Sequence, residues 1–456
     1  MDYLEILDRS QNGPYLSEEN WDLEKVSATT RQIVDKFELS WDKNQIIPDD
    51  PGLADRVFNA GFELACLLGL YNRTSERNLN FSRKELEEGL DNSQQALVMG
   101  EGSDQRILFP RKIMDDRPPL VWAGNPGAPT PEALFLPTVI SCAQEPVVDL
   151  ITCGSLTYVG GRAVCTFDAT EVLATRRELT LMHQALDQVG RSGMGMLAAQ
   201  SSVSEIGDLA VANPKYLRLT DAHLIPMLNE LKLDQRNITR VVNSLEYGMR
   251  NAGLHCTLMG GLGGDAPGCA VICVASILLG NLAQKSDYHI LHPIHIKHVA
   301  TTTPAVLWVE SIVLQAFARN APCIIVTDIY PKSGALTREL LWETIANTIV
   351  ITVSGGHLEG VGSADGLIPN ATGLETRLMG EVGHAVAKMG MTMNQANGMV
   401  LNLLKKYEHV FNQSGGNPGV RFDLAYDLDT IQPVKEWQEQ YEQVGDELSR
   451  MGVPVK

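Results

Sequence analysis

Ionisable side chains that follow short apolar runs are the first candidates for chemistry in this sequence. Arg218 lies within the run YLRL, and Asp328 and Tyr330 follow the run CIIVT. A buried arginine can clamp a carboxylate through two parallel hydrogen bonds, and a carboxylate beside a phenol can orient a cation or deliver a proton. The alternatives are an ion pair of Arg218 with an acid such as Asp328, an outward-facing surface arginine, and an ordinary turn at Asp328.

Histidines 289, 292, 295 and 298 are a second candidate, because imidazole is a common zinc ligand. Pro293 excludes a helix at this point, and in a strand successive side chains face opposite sides. At most two of the four imidazoles can therefore converge. The spacing predicts core or surface histidines and no metal site, while His295 remains a candidate for substrate contact.

Two further segments carry polar or flexible residues beside apolar runs. Thr220, Asp221 and His223 form a short polar cluster in which a helix cap is the simplest role and substrate contact is the alternative. A glycine loop follows a predicted strand and allows either close approach of a bulky ligand or partner, or a plain flexible connection. The glycines of this loop are Gly260, Gly261, Gly263 and Gly264.

Composition limits the class of protein. The chain has 456 residues, a net charge of -18 and 44% hydrophobic residues, which fits a soluble globular protein with a large core. A pI near 5.0 argues against nucleic acid as a partner. No leader segment and no apolar run long enough for a membrane span is evident, and the eight scattered cysteines do not indicate a disulfide framework. We therefore expect a cytoplasmic location.

The pattern of elements changes near residue 125. Residues 1–125 predict a helical extension, with helices over 18–36, 55–70 and 81–97 and a capping box at Ser82 and Glu85. Residues 126–456 alternate short apolar runs with amphipathic stretches, which is typical of βα units. The predicted strands are 148–153, 194–199, 216–219, 255–259, 289–296, 323–328 and 348–353. The predicted helices are 170–189, 239–252, 269–285, 305–319, 337–347, 373–390 and 394–412.

Seven strands over this length favour a (β/α)8 TIM barrel of the α/β class over a doubly wound sheet. In such a barrel the chemistry belongs to residues at the carboxyl ends of the strands. That rule selects Gln200, Arg218 with Asp221 and His223, the glycine loop with Asp265, His295 with His298, Asp328 with Tyr330, and Ser354 with His357.

A series of short segments runs from near residue 20 to the C-terminal helices. They are Trp21–Leu23, Ala60–Glu63, Thr220–His223, Leu228–Lys232, Pro293–Ile296, Tyr330–Pro331, Gly373–Glu375, Arg377 and Met379–Val382. Taken in series, these segments resemble the monomethylamine methyltransferase family. The resemblance implies a (β/α)8 barrel behind a helical extension, a homohexamer, no tightly bound cofactor, and a small partner protein whose corrinoid docks over the barrel mouth and the glycine loop.

The resemblance also indicates departures from the family pattern. The family carries pyrrolysine two residues before the segment that matches Thr220–His223, which places Arg218 at that position. The resemblance implies that the imine ring of pyrrolysine takes up methylamine as an adduct. A guanidinium has no electrophilic imine carbon and cannot form this adduct. The family's glutamine and tyrosine after the sixth strand match Asp328 and Tyr330. The family also has an acidic residue before the glycine loop, and residues 254–257 (LHCT) of this chain offer none.

These departures predict a methylated amine other than monomethylamine, either quaternary or carboxylate-bearing. Arg218 would clamp a carboxylate, Asp328 would face the cationic head, and Tyr330 and Trp308 would add cation–π contact. The alternatives are a zinc-dependent methyltransferase acting on a thiol or O-methyl compound, a non-catalytic relative that binds an amine or the corrinoid protein, and an ordinary TIM-barrel lyase or hydrolase.

Overall fold

Eight parallel strands close into a barrel at the centre of the molecule. A computed structural model describes residues 2–198 and 204–455. The strands, numbered here in chain order, follow one another around the barrel, and the last pairs with the first. They are β1 (Val121–Ala123), β2 (Leu150–Thr152), β3 (Gly195–Ala198), β4 (Ala222–Met227), β5 (Arg250–His255), β6 (Tyr288–Leu291), β7 (Ile325–Ile329) and β8 (His357–Gly360).

A helix follows each strand, which confirms the predicted (β/α)8 architecture. Most begin at a side-chain cap, such as Asp168, Asp234 or Thr337, whose oxygen accepts a hydrogen bond from the first turn. The helices are α1 (Glu132–Ala143), α2 (Ala169–Gln188), α3 (Glu205–Val211), α4 (Gln235–Tyr247), α5 (Ala266–Ala283), α6 (Pro304–Asn320), α7 (Arg338–Ser354) and α8 (Gly373–Met389).

The strand predictions at 148–153, 194–199, 289–296 and 323–328 are confirmed in position within the described residues. The prediction at 255–259 is displaced, because β5 runs over Arg250–His255 and begins inside the helix predicted at 239–252. Two predictions are wrong. Residues 216–219 form a turn, and the fourth strand begins only at Ala222. Residues 348–353 lie inside α7, a helix whose residues from Leu340 onward are all buried. A helix buried on every side has no amphipathic period, so a run such as TIVITV cannot be distinguished from a strand by its pattern. The first and last strands, helices α1 and α3, and the helix Lys435–Arg450 were missed.

The segment before the barrel is mainly helical, as predicted, and its capping box at Ser82 and Glu85 is present. Two short hairpins interrupt its helices, and one of them, Leu97–Met99 with Arg106–Leu108, packs against the inward side chains of the barrel. Strand β1 begins at Val121, just before the predicted boundary at residue 125. The helices are Tyr3–Asn12, Glu18–Asn20, Trp21–Ser27 (a π-helix), Ala28–Lys36, Pro51–Leu68 and Arg83–Asp91, and the other hairpin joins Leu70–Asn72 to Arg77–Leu79.

Three further helices follow α8 and pack outside the barrel. They are Met393–Tyr407, Phe422–Ala425 and Lys435–Arg450. Trp437 in the last of them is fully buried, and its indole N–H donates to Thr372, the cap of α8. The C-terminal segment is therefore part of the same packed body.

The remaining short elements connect the larger ones. Helix α5 is long and apolar enough to cross a membrane by composition, but all of it is buried inside the fold, as for a core helix of a soluble domain. All eight cysteines are free, as the sequence predicted. The short strand pairs are Pro129–Thr130 with Ser155–Leu156, Tyr158–Val159 with Arg162–Ala163, Lys232–Leu233 with Leu70–Asn72, Leu258–Met259 with Ile294–His295, and Tyr426–Asp427 with Gln432–Pro433. The 3-10 turns are Gly102–Asp104, Ala364–Gly366 and Glu408–Asn412.

Candidate active site

Two carboxyl groups lie side by side where the barrel opens at the carboxyl ends of its strands, which we call the mouth. Asp328 on β7 is in register with Glu359 on β8, and Glu359 is in register with Trp122 on β1. Because Trp122 and Val326 belong to the apolar cluster that fills the barrel, alternation places Asp328 and Glu359 on the inner wall as well. They are only 4% and 1% exposed.

The acid pair has little compensation for its charge. One oxygen of each carboxyl group, Oδ1 of Asp328 and Oε2 of Glu359, is buried without a hydrogen-bond partner in residues 2–198 and 204–455. Among the described residues, no lysine or arginine forms an ion pair with either group, and only His292 Nδ1 approaches, at 3.2 Å from Asp328 Oδ2. Burial, reinforced by the charge of Asp328, raises the pKa of Glu359 well above its usual value. This shift favours the protonated form of Glu359.

Tyr330 forms an aromatic wall beside this pair. Its ring meets the imidazole of His292 edge-on, with ring centroids 5.0 Å apart, and its hydroxyl donates to the carbonyl of Pro126 after β1. A Cβ at Gly362 would lie 2.7 Å from the tyrosine ring, so only glycine fits there. The ring is thus held from both sides.

A chain of buried polar groups fixes the backbone at Tyr330. The Tyr330 N–H donates to Thr301 Oγ1 at 3.0 Å, and the Thr301 N–H donates back to the Tyr330 carbonyl at 2.8 Å. The Thr301 hydroxyl then donates to Asn347 at 2.7 Å, and Asn347 donates to Glu310 on α6. This network locks the end of β7 in one position.

A third acid, Glu230, lies after β4 on the same face of the barrel. It is 3% exposed, and burial raises its pKa to about 7. Its Oε1 accepts a hydrogen bond from the N–H of Leu258 at 3.1 Å, and a Cβ at Gly261 would lie 3.0 Å from the same oxygen. The glycine loop therefore makes its close approach to this carboxyl group, whose charge is disfavoured by burial.

Cys256 follows β5 with the same inward parity as Ala252 and Leu254, which pack in the barrel cluster. Burial raises the pKa of its thiol to about 12, so the side chain is neutral. The charges of Asp328 and Glu230 act on it in the same direction. A neutral thiol thus stands between the two acidic parts of the mouth.

Comparison with known proteins matches this architecture from end to end. The family model of monomethylamine methyltransferase MtmB matches residues 1–453. The chain belongs to the MtmB family. MtmB1 of Methanosarcina barkeri is 29% identical over 454 residues, which cover 99% of this chain and 98% of the relative. MtmB of Methanosarcina mazei is also 29% identical over 454 residues, with the same coverage of both chains.

Solved structures of the MtmB family show the same fold. The crystal structure of M. barkeri monomethylamine methyltransferase superposes with a TM-score of 0.95 at 28% identity and covers 99% of this chain and 98% of that one. A crystal structure of a hydroxylamine complex of MtmB superposes equally well, with a TM-score of 0.95. The helical extension and the C-terminal helices are therefore shared along with the barrel.

Arg218 lies at the opposite end of the barrel from the acid pair, which overturns the substrate role predicted for it in this MtmB-family chain. It precedes β4, and its guanidinium donates to both oxygens of Asp221, at 2.9 and 2.8 Å, and to the carbonyl of Met194 before β3. Asp221 is fully buried and also accepts from the Met196 N–H. Arg218 and Asp221 form a structural ion pair at the amino-terminal end of the barrel, from which Arg218 cannot reach the acid pair at the mouth.

Three other predicted contact residues also lie away from the acid pair. His223, the second residue of β4, is buried, and its Nε2 lies 2.7 Å from Asp208 Oδ1 on α3. Trp308 packs on Trp41 of the extension, with ring centroids 6.4 Å apart, outside the barrel. His295 packs against His298 at a separate cavity, with ring centroids 4.4 Å apart and the two rings tilted. His223 points away from the barrel interior because side chains alternate along β4, and Trp308 does so because it lies on the outward face of α6.

The remaining sequence candidates divide between the two ends of the barrel. Asp328, Tyr330 and the loop of Gly260, Gly261, Gly263 and Gly264 lie at the mouth, as predicted. Ser354 ends α7, and His357 opens β8, where its imidazole bonds the backbone of Phe109 and Leu120 at the amino-terminal end. Asp265 precedes α5. Gln200 lies outside the described residues.

Sequence reasoning missed Glu359, Glu230 and Cys256 and dismissed His292. Glu359 stands in the run HLEG directly after two glycines, which is a strand signal once the preceding TIVITV is assigned to a helix. Glu230 was noticed only as part of a segment that resembles the family. Their proximity depends on strand neighbours far apart in sequence.

Proposed function

We propose that this chain transfers a methyl group from a methylated ammonium cation to the cobalt of a corrinoid carried by a partner protein. The observation that carries the proposal is the pair Asp328 and Glu359, buried at the mouth with no lysine or arginine partner in the described part of the chain. Two carboxyl groups in apolar surroundings favour a ligand that brings positive charge. A methylated ammonium ion supplies that charge together with methyl groups that suit an apolar wall.

A quaternary ammonium ion fits these residues best. It keeps its positive charge without any proton, so the displaced amine departs as a neutral molecule. The rings of Tyr330 and His292 give its methyl groups an aromatic surface. The sequence contains no pyrrolysine, so the substrate has to be held by ordinary side chains. A carboxylate on the substrate is no longer required, since Arg218 pairs with Asp221 at the other end of the barrel.

The acid pair divides the work between its two members. Asp328 faces the cation and fixes the nitrogen, so that one methyl group is directed out of the mouth. Protonated Glu359 can donate a hydrogen bond to the nitrogen lone pair, which a quaternary ammonium ion lacks and gains only as its C–N bond breaks. This interaction is stronger in the transition state than in the ground state, which is the condition for catalysis.

A reduced corrinoid supplies a strongly nucleophilic cobalt as the methyl acceptor, and we propose that a partner protein brings it, with none bound tightly by this chain. The loops around the mouth support a protein partner, because they expose large apolar side chains over several βα units. These are Tyr158 (60% exposed), Phe167 (54%), Ile296 (52%), Val299 (38%) and Leu367 (69%). Assembly as a homohexamer in the cytoplasm remains part of the same proposal.

The test is a spectroscopic assay of methyl transfer. The protein is mixed with reduced cob(I)alamin, or a candidate corrinoid protein, and with tetramethylammonium, glycine betaine, trimethylamine, dimethylamine or monomethylamine. Methylcobalamin is expected to form with a quaternary amine, and Asp328→Asn and Glu359→Gln should abolish it while Asp55→Asn, a surface control paired with Arg319, should not. Transfer from monomethylamine alone would contradict the proposed substrate.

No observation favours the zinc-dependent alternative. Within residues 2–198 and 204–455, no three histidine, cysteine, aspartate or glutamate side chains are grouped so that they could hold a metal ion. Binding of a quaternary amine without any transfer, in the presence of the corrinoid partner, would instead favour a non-catalytic relative.

A further inference from the structure

A second cavity lies outside the barrel, beside the loop that follows β6, and methyl transfer makes no use of it. Its volume is about 630 Å³, within the range of small-molecule pockets. Its walls come from three distant parts of the chain: residues 41–44 of the extension, residues 295–305 after β6, and residues 401–412 after α8. Because the three segments are far apart in sequence, the cavity exists only in the folded chain.

The walls of this cavity combine aromatic surface with hydrogen-bonding groups. Trp41 and Phe411 provide flat apolar area, and His298 packs between Phe411 and His295, with ring centroids 5.3 and 4.4 Å away. The indole N–H of Trp41 is buried without a hydrogen-bond partner in the described part of the chain. A buried donor of this kind is costly unless an acceptor reaches it.

The rim of the cavity is positive in a protein that is strongly negative. Lys43 and Lys405 are exposed at the rim and form no ion pair with any described residue, and Glu408 is the one acid in the lining. The whole chain carries a net charge of -18. Burial, with the neighbouring His298, lowers the pKa of His295 to about 4, so this imidazole is neutral and offers hydrogen bonds without charge.

We propose that the cavity binds a small organic anion with a flat aromatic body. The aromatic part lies against Trp41 and Phe411, and the carboxylate or phosphate faces Lys43 and Lys405. The imidazoles and the indole N–H complete the polar contacts. This assignment stands independently of the methyl-transfer proposal, because none of these residues touches the acid pair.

Competition binding tests this inference. The fluorescent aromatic sulfonate 8-anilinonaphthalene-1-sulfonate serves as the probe, and the competitors are two matched pairs: indole-3-acetate against neutral indole-3-acetamide, and adenosine monophosphate against adenosine. We expect saturable binding at one site per chain and displacement by the anionic member of at least one pair. Displacement by the indole acid or by the nucleotide tells a carboxylate ligand from a phosphate ligand.

Variants connect the binding to this cavity. The double substitution Lys43→Ala with Lys405→Ala should weaken anion binding by about tenfold, which corresponds to about 1.4 kcal/mol. Phe411→Ala should weaken both the anion and its neutral partner. The control, Lys84→Ala with Lys435→Ala, removes two lysines that are 84% and 90% exposed elsewhere and should change nothing. The inference is overturned if binding does not saturate, if the anionic and neutral members of each pair compete equally, or if the affinity is unchanged in the double variant.

Discussion

Asp328 on β7 and Glu359 on β8 are direct neighbours across two parallel strands, and both side chains enter the mouth of the barrel. Neighbouring carboxyl groups in an apolar site cannot both ionise without a cation between them. Their placement is the basis for proposing a cation site at this end of the barrel.

The substitution Glu359→Gln should stabilise the folded protein at neutral pH. Glu359 keeps its proton in the folded state, whereas the same group in the unfolded chain loses it above its ordinary pKa of 4.5. The unfolded state is therefore favoured as pH rises, and glutamine removes this penalty. We expect a gain in the free energy of unfolding at about pH 8 that shrinks towards zero below about pH 4, where the unfolded chain is protonated at this position as well.

Chemical denaturation at several pH values measures this gain. Glu436→Gln, a change of an exposed glutamate on the last helix, is the matched control and should show no such pH dependence. A Glu359→Gln variant that is less stable than the parent at about pH 8 would mean that the carboxyl group is ionised and stabilised in the folded state.

The substitution Gly362→Ala should damage the site without unfolding the protein. The new Cβ would lie 2.7 Å from the ring of Tyr330, which cannot retreat because its hydroxyl is bonded to the Pro126 carbonyl. We expect kcat/KM for methyl transfer to fall about 10-fold to 100-fold, with a loss of stability of about 1–3 kcal/mol. Steady-state kinetics and thermal unfolding check both effects.

Gly398→Ala is the natural control, since nothing lies within 4 Å of a Cβ at that helical position. It should leave kcat/KM unchanged and raise stability by about 0.5–1 kcal/mol. Equal kinetics for the two alanine variants would show that the ring of Tyr330 is not constrained by Gly362.

The substitution Arg218→Ala should affect stability and leave substrate preference alone. It strips the fully buried Asp221 of its cation, and breaking a buried ion pair of this kind costs about 3–5 kcal/mol. Arg421→Ala breaks an exposed pair with Asp423 and should cost no more than about 1 kcal/mol. Denaturant titration compares the two. A selective rise in KM for carboxylated amines in the folded Arg218→Ala variant would instead indicate that Arg218 contacts the substrate.

Substitutions at Tyr330 should separate the role of its ring from that of its hydroxyl. Tyr330→Phe loses the hydrogen bond to Pro126 and should cost about 0.5–1.5 kcal/mol of stability, while its ring still faces the cation. Tyr330→Leu should lose cation affinity as well. Calorimetric titration with tetramethylammonium distinguishes them, and equal affinity in both variants would argue against cation–π contact.

The sequence by itself determined the framework of the protein. Apolar runs located four of the eight barrel strands, and the capping box at Ser82 and Glu85 marked the start of a helix correctly, because these signals depend on residues close in the chain. The resemblance of scattered segments indicated the MtmB family, which the whole-chain match confirmed. Asp328 and Tyr330 were assigned to the mouth because their strand was unambiguous.

Tertiary structure alone decided which residues share a site. Arg218 sits in a turn that resembles a short strand, and a shift of a few residues moves a side chain from one end of the barrel to the other. Glu359 was hidden because α7 is buried on every side and its last turns resemble a strand. The acid pair joins residues 31 positions apart through the register of β7 and β8. Such proximity is set by strand pairing and burial across the whole fold, which no local pattern of residue types encodes.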